Sequence, residues 1–211
     1  MRGAAMTDPR DVALQASCPV IAAPRFGPLP PMEYGQRVVL ARNGVFLQVR
    51  RAWLRCTERI GHVDPRVPLP FGALENAVRF HFGTPPQPLL REFIAEGRRR
   101  LPNEVAGGLV YSSRSSRLRL AVYESLSSGP DGVNYVLPRL AHDEVVAIDL
   151  HTHGADSAYF SEIDDADDLE VKVAGVIGDL DRTLPSTAYR LVLNGYFIPL
   201  EDPWPLADGP V

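Results

Sequence analysis

Histidine is scarce in this chain, five residues in 211, yet two of the five stand two positions apart at His151 and His153. In an extended strand, residues i and i+2 point to the same side, so both imidazoles can reach one ion. Seven residues separate His153 from Ser161, and Asp164 stands three positions further on. Two imidazoles and a carboxylate make a three-ligand set with an open fourth position. That is the catalytic arrangement for Zn²⁺ rather than the closed structural one. A structural zinc site would draw on cysteines, and neither Cys18 nor Cys56 is near these residues or at metal-ligand spacing.

Such a site needs a rigid platform. Val145 to Leu150, immediately before His151, is a dense apolar run, expected as a central strand covered on both faces. Leu89, Leu90, Phe93, Ile94, Gly97 and Leu101 recur at three- and four-residue spacing, which predicts an amphipathic helix. Pro88 suits its first turn, Arg98, Arg99 and Arg100 suit a solvated last turn, and Pro102 ends it. Further strands are expected over Glu104–Tyr111, over Leu118–Glu124, around Tyr135, over Val171–Ile177 and over Tyr189–Leu200. The last should turn on Asn194-Gly195 in a type I′ hairpin. The acids after Ser161, Asp164 excepted, suit a solvated helix N-terminus.

Upstream, six prolines within the first 31 residues predict an extended arm. Between Arg37 and Arg50 two β-rich runs flank Asn43-Gly44, a second type I′ signal. Prolines between 65 and 88 suggest a boundary near residue 85. The expected organisation is a proline-rich arm and β-hairpin region over 1–85, a domain over 86–200 and a frayed tail over 201–211.

The spacing His-x-His-x7-Ser-x2-Asp closely resembles the motif of the JAB/MPN (JAMM) metalloprotease family. That family also places a glutamate after its first helix in a pattern like Pro-x-Glu-x-x-Gly-x-Leu, and Pro102-Asn-Glu104-Val-Ala-Gly107-Gly-Leu109 fits it. The resemblance spans roughly residues 86 to 200 and leaves the first 85 outside. It implies an α/β fold: a cytidine-deaminase-like MPN domain with a mixed sheet flanked by helices, beside a small β-rich N-terminal region. It also implies that His151, His153 and Asp164 hold Zn²⁺, that Glu104 is the general base toward the zinc water, and that Ser161 donates to the developing oxyanion. The implied activity is hydrolysis of an amide or isopeptide bond near the end of a ubiquitin-like or small protein substrate. Gly154 stands where the family usually has proline, which would loosen the loop, and Ala106 stands where it often has cysteine. The acidic Phe160–Asp168, Val173–Gly178 and Arg190–Phe197 are similar to the protein A subgroup of the PRTRC cassette. That likeness implies a ThiF-type, ubiquitin-activating-like companion.

Composition narrows the alternatives. Acids outnumber bases 26 to 22 for a net charge of −4 and a pI near 5.7, which argues against a dedicated nucleic-acid binder. No apolar run approaches the ~18 residues of a membrane helix. Asp8, Pro9 and Asp11 interrupt any signal-peptide core, so a reducing, cytoplasmic location is expected. Asp149–Gly154 also resembles the first metal strand of amidohydrolases, but too few residues follow His153, none of them histidine, to complete a barrel. The acids after Ser161 lack the alternation and central glycine of an EF-hand. Trp53 and Trp204 suit packing, and His62, His81 and His142 have no partner at metal spacing. The alternative of a different class is a non-catalytic MPN-fold scaffold within a plasmid-associated bacterial protein assembly.

Overall fold

The computed structural model describes residues 8–67, 69–130, 132–201 and 203–204. The chain divides into two units, Met1–His81 and Phe82–Val211.

The first unit opens with a helix, α1 (Pro9–Ser17), in the stretch where an extended arm was expected. Proline is tolerated at the first helical position, where no N–H is required, and the Asp8 side chain caps the backbone N–H of Arg10 at 2.9 Å. A five-stranded sheet follows in spatial order β1 (Val20–Ala22), β2 (Gly35–Ala41), β3 (Gly44–Arg50), β4 (Leu54–Gly61) and β5 (Ala77–Phe80). β1 runs parallel to β2, and the other neighbours are antiparallel. The β2–β3 hairpin lies where expected, but its turn falls on Arg42-Asn43, and Asn43 lacks the positive φ of a type I′ turn. Register is decided by the core. Val39 pairs with Phe46, and both are buried beside Ala23 and Ala41 under Leu29, Phe71 and Leu74.

The second unit begins with α2 (Gln87–Arg100), whose buried Leu90, Phe93, Ile94 and Gly97 are the stripe read from the spacing. A Cβ on Gly97 would lie 2.7 Å from Leu180 Cδ1 and 3.0 Å from Thr152 Cγ2, so glycine there lets the helix close onto the sheet. Arg98 is not solvated. It donates to the carbonyls of Leu180 (3.1 Å), Arg182 (2.6 Å) and Thr183 (3.1 Å), while Arg99 and Arg100 pair with Glu96. Then come β6 (Ala106–Ser112), β7 (Arg117–Val122), β8 (Glu124–Gly129), β9 (Gly132–Val136), β10 (Glu144–Thr152), α3 (Glu162–Asp167), β11 (Val171–Gly178), β12 (Ser186–Leu193) and β13 (Tyr196–Leu200).

Six of these strands form one mixed sheet in the order β13-β12-β11-β10-β6-β7, with β10 and β11 parallel and the other neighbours antiparallel. The apolar run before His151 is therefore central in the sheet, as expected, but it is not covered on both faces, since Val145, Val146 and Asp149 are only half-buried. Asn194 and Gly195 have φ of 54° and 83° between paired Leu193 and Tyr196, the type I′ geometry read from the sequence. β8 and β9 form a separate two-stranded ribbon. Only its β9 half was anticipated, because the serine-rich β8 lacks the β-branched and aromatic residues that mark a strand.

Among the described helices only α2 buries side chains, so the protein is a β-rich mixed α/β chain rather than a sheet flanked by several helices. Trp53 and Trp204 are both buried. Trp204 packs its ring at 6.1 Å from Phe82 and 5.3 Å from Tyr189, so this part of the tail is not frayed. Residues 205–211 lie outside the described residues. No described helix is long and apolar enough to cross a membrane.

Candidate metal centre

Strand alternation sorts β10 into two faces. Leu150 and Thr152 face α2: Thr152 meets Gly97, and Phe93 crowds Gly107, the register partner of Leu150. Asp149 and His151 therefore point to the opposite face. There the register aligns Asp149 with Ala174 of β11, and Ala174 with Arg190 of β12. This polar face of the sheet floors a cavity of about 310 Å³.

His151 sits one residue from the end of β10, and His153 follows in the turn that leaves it. The His153 N–H donates to the Ile177 carbonyl at 3.0 Å, and its ring meets the edge of Tyr159 at 4.6 Å. Gly154 next to it has φ of +56°, and a Cβ there would lie 3.1 Å from the Pro102 carbonyl oxygen. Proline, locked near −65°, cannot occupy that conformation. The glycine thus suits the conformation of this turn, which the family's usual proline could not adopt.

Asp164 returns through α3. Ser161 is the N-cap of that helix, its Oγ accepting from the Asp164 N–H at 3.3 Å, and together the two residues form a capping box. The Asp164 carboxylate is divided between two tasks. Oδ2 accepts from the Ser161 N–H and O–H, both at 2.7 Å, while Oδ1 lies 3.3 Å from His151 Nε2. The two histidine Nε2 atoms face one another at 3.1 Å. One ligand atom from each of His151, His153 and Asp164 lies within 4.8 Å of the others.

The His151–His153 and His151–Asp164 separations fit zinc. With Zn–N and Zn–O bonds of about 2.0–2.1 Å, neighbouring vertices of a tetrahedron stand about 3.3 Å apart. Electrostatics agree with the geometry. Burial, and secondarily His153, push the His151 pKa down against the pull of Asp164, which favours the neutral imidazole a metal requires. Burial would raise Asp164, but His151 and the Ser161 hydrogen bonds outweigh it and hold the carboxyl below its ordinary range. A cation would therefore meet a carboxylate at Asp164 and a neutral imidazole at His151.

Glu104 and Ser161 line the same cavity as the three residues above. Glu104 is 8% exposed and lies just ahead of β6 rather than within it, where the strand was expected to begin. Its N–H donates to the Gly129 carbonyl at 2.9 Å, tying it to the ribbon. The next residue is pinned to β10: the Val105 N–H donates to Thr152 Oγ1 at 2.9 Å, and the Thr152 N–H to the Val105 carbonyl at 3.0 Å. Ribbon residues Val133 and Tyr135 complete the wall.

A charged network that the sequence reading missed holds α3 over the sheet. Lys172 Nζ bridges Asp149 (2.8 Å) and Asp168 (2.9 Å), and the Tyr123 hydroxyl donates to Asp149 Oδ1 at 3.0 Å. Arg190 pairs with Asp168 at 2.6 Å and with Asp165, its guanidinium lying 3.9 Å from the ring centroids of both Phe160 and Phe197. Asp168 is buried, so it is not one of the solvated acids expected there. A signal did exist: Asp149, Lys172 and Arg190 are charges inside runs that otherwise read as buried strands, and such charges must be paired.

The family model for prokaryotic homologs of the JAB domain matches residues 86–192, just over half of the chain. A second model, a domain of unknown function (DUF2016), matches residues 8–81. Among solved structures, the solution structure of protein DSY2949 from Desulfitobacterium hafniense is similar at 19% identity, over 56% of this chain and 89% of that one, with a TM-score of 0.42. No curated protein matches the chain. By the extent of the first match, the chain belongs to the prokaryotic homologs of the JAB domain.

Proposed function

We propose that the second unit is a zinc-dependent peptidase of JAMM type, acting on an amide or isopeptide bond near the end of a ubiquitin-like or small protein. The observation that carries this reading is the placement of His151, His153 and Asp164 in one cavity with Glu104 and Ser161. His151, His153 and Asp164 would hold the cation. Zinc, when bound, supplies an acidified water and a Lewis acid for the scissile carbonyl. Glu104, buried in the wall, takes the proton of the attacking water and returns it to the leaving amine. The Ser161 hydroxyl, which donates to Asp164 in the structure, turns to the developing oxyanion.

The cytidine-deaminase-like description of the fold, membership of the PRTRC subgroup, a ThiF-type companion and a cytoplasmic location belong to this same proposal. The resemblance of Phe160–Asp168, Val173–Gly178 and Arg190–Phe197 supports the subgroup and its companion, and the JAB/MPN motif spacing supports the fold description. Asp8, Pro9, Asp11 and the two cysteines, unpaired by spacing, support the location. The test is Glu104→Gln, assayed for zinc content and for cleavage of a ubiquitin-like protein extended by a short peptide. The expected outcome is unchanged zinc and a turnover about 10²–10⁴-fold lower. A zinc-loaded wild type without turnover on any such fusion would instead favour the non-catalytic scaffold.

A further inference from the structure

The first unit carries an arrangement that the peptidase reading does not use. Its sheet has one face split in two. At one end Val39, Ala41 and Phe46 are buried beneath Leu29, Phe71 and Leu74. At the other end the register sets Arg50 of β3 directly opposite Arg55 of β4, and Arg55 directly opposite Arg79 of β5. Alternation places Arg37 of β2 on the same face, since its partner Gln48 stands two residues from Arg50. Like charges directly opposite on neighbouring strands are destabilising, and this row has three in succession.

None of the four arginines pairs with a carboxylate among the described residues. Arg37 is 8% exposed, with Nε on the Gln48 amide oxygen (2.8 Å) and one Nη on the Pro30 carbonyl (2.9 Å). Burial lowers its pKa, and no opposing charge offsets that cost. Arg50 donates to the Met32 carbonyl and lies 5.4 Å from the Tyr34 ring centroid, but its buried Nε has no hydrogen-bond partner. Arg37, Arg50 and Arg55 line a cavity of about 380 Å³ walled on one side by Pro30, Pro31 and Met32. That volume is within the range of small-molecule sites.

We infer that this cavity binds a phosphate group carried on a small molecule. Guanidinium is the side chain suited to bidentate recognition of oxyanions, and several uncompensated guanidiniums match a dianion better than a single carboxylate. The apolar wall of Pro30, Pro31 and Met32 would receive whatever bears the phosphate.

The test is calorimetric titration of the full chain with inorganic phosphate, and separately with acetate, at constant ionic strength. The variants are Arg55→Gln, at an exposed position, and Arg50→Gln, with thermal melts as the folding control. The wild type should bind phosphate saturably, and more tightly than acetate. Each variant should weaken that binding at least tenfold while retaining its cooperative melt. No saturable phosphate binding by the wild type, equal affinity in the variants, or tighter binding of acetate would overturn the inference.

Discussion

Single side chains in this structure carry two tasks at once, and Ser161 shows it best. It caps α3 and it faces the cavity. Ser161→Ala should lower stability by about 1 kcal/mol through the lost cap. It should also lower turnover about 10²–10³-fold through the lost oxyanion donor. Ser161→Gly separates the tasks, because glycine at the N-cap recovers most of the stability, read by chemical denaturation, but supplies no donor to the oxyanion and so restores no turnover. Gly154 permits a similarly sharp prediction. At φ +56°, Gly154→Ala should cost about 1 kcal/mol or more, and Gly154→Pro should cost more still and weaken zinc binding, measured by melts and metal titration. The grouping of His151, His153 and Asp164 was legible in sequence because metal chemistry limits both residue type and spacing, whereas Glu104 was read from the resemblance of Pro102–Leu109 to the family pattern. The division of Asp164 between cap and imidazole was not, since it depends on which carboxylate oxygen faces which neighbour.

At the scale of elements, what keeps α3 over the sheet is charge rather than apolar burial, because the helix buries no side chain of its own. Arg190→Gln leaves Asp168 with Lys172 as its remaining cation, so the loss of stability should fall below the cost of a buried charge left wholly unpaired, about 3–5 kcal/mol. Zinc affinity should fall as well, about 10–100-fold, as Asp164 loses its support. A competition titration against a chromophoric chelator reads that loss, and Arg190→Lys should restore only part of it because the two-ring stack needs a planar group.

A pH-dependent element contact lies at the far end of β10. Glu144 accepts two hydrogen bonds from Arg119 of β7, both at 2.7 Å, and another from the Ala141 N–H at 3.0 Å. The Arg119 hydrogen bonds, aided by the Ala141 N–H, hold its pKa at about 2 against an ordinary 4.5. A carboxyl depressed in the folded state contributes stability that is complete above its unfolded value and lost as pH falls through its folded value. The destabilisation caused by Glu144→Gln should therefore be constant near neutrality and shrink between about pH 4.5 and 2. Denaturant melts across that range check it. Periodicity identified α2 and the interior strands because each has a buried face. It missed α1 and β8, which bury little and so leave no pattern to read.

For the molecule as a whole, the family and the platform of its candidate metal centre were readable from one contiguous stretch, matched by the family model over residues 86–192. The charge asymmetry of the N-terminal sheet was not. A net charge of −4 hides a row of arginines that only strand register brings side by side. Zinc stoichiometry reads whether His151, His153 and Asp164 act as one cation site. The metal-free chain is incubated with zinc, desalted and subjected to elemental analysis beside His151→Ala. A single site should leave about one equivalent on the wild type, with a raised melting temperature, and almost none on the variant. Stoichiometric zinc on the His151→Ala protein, or none on the wild type, would contradict it.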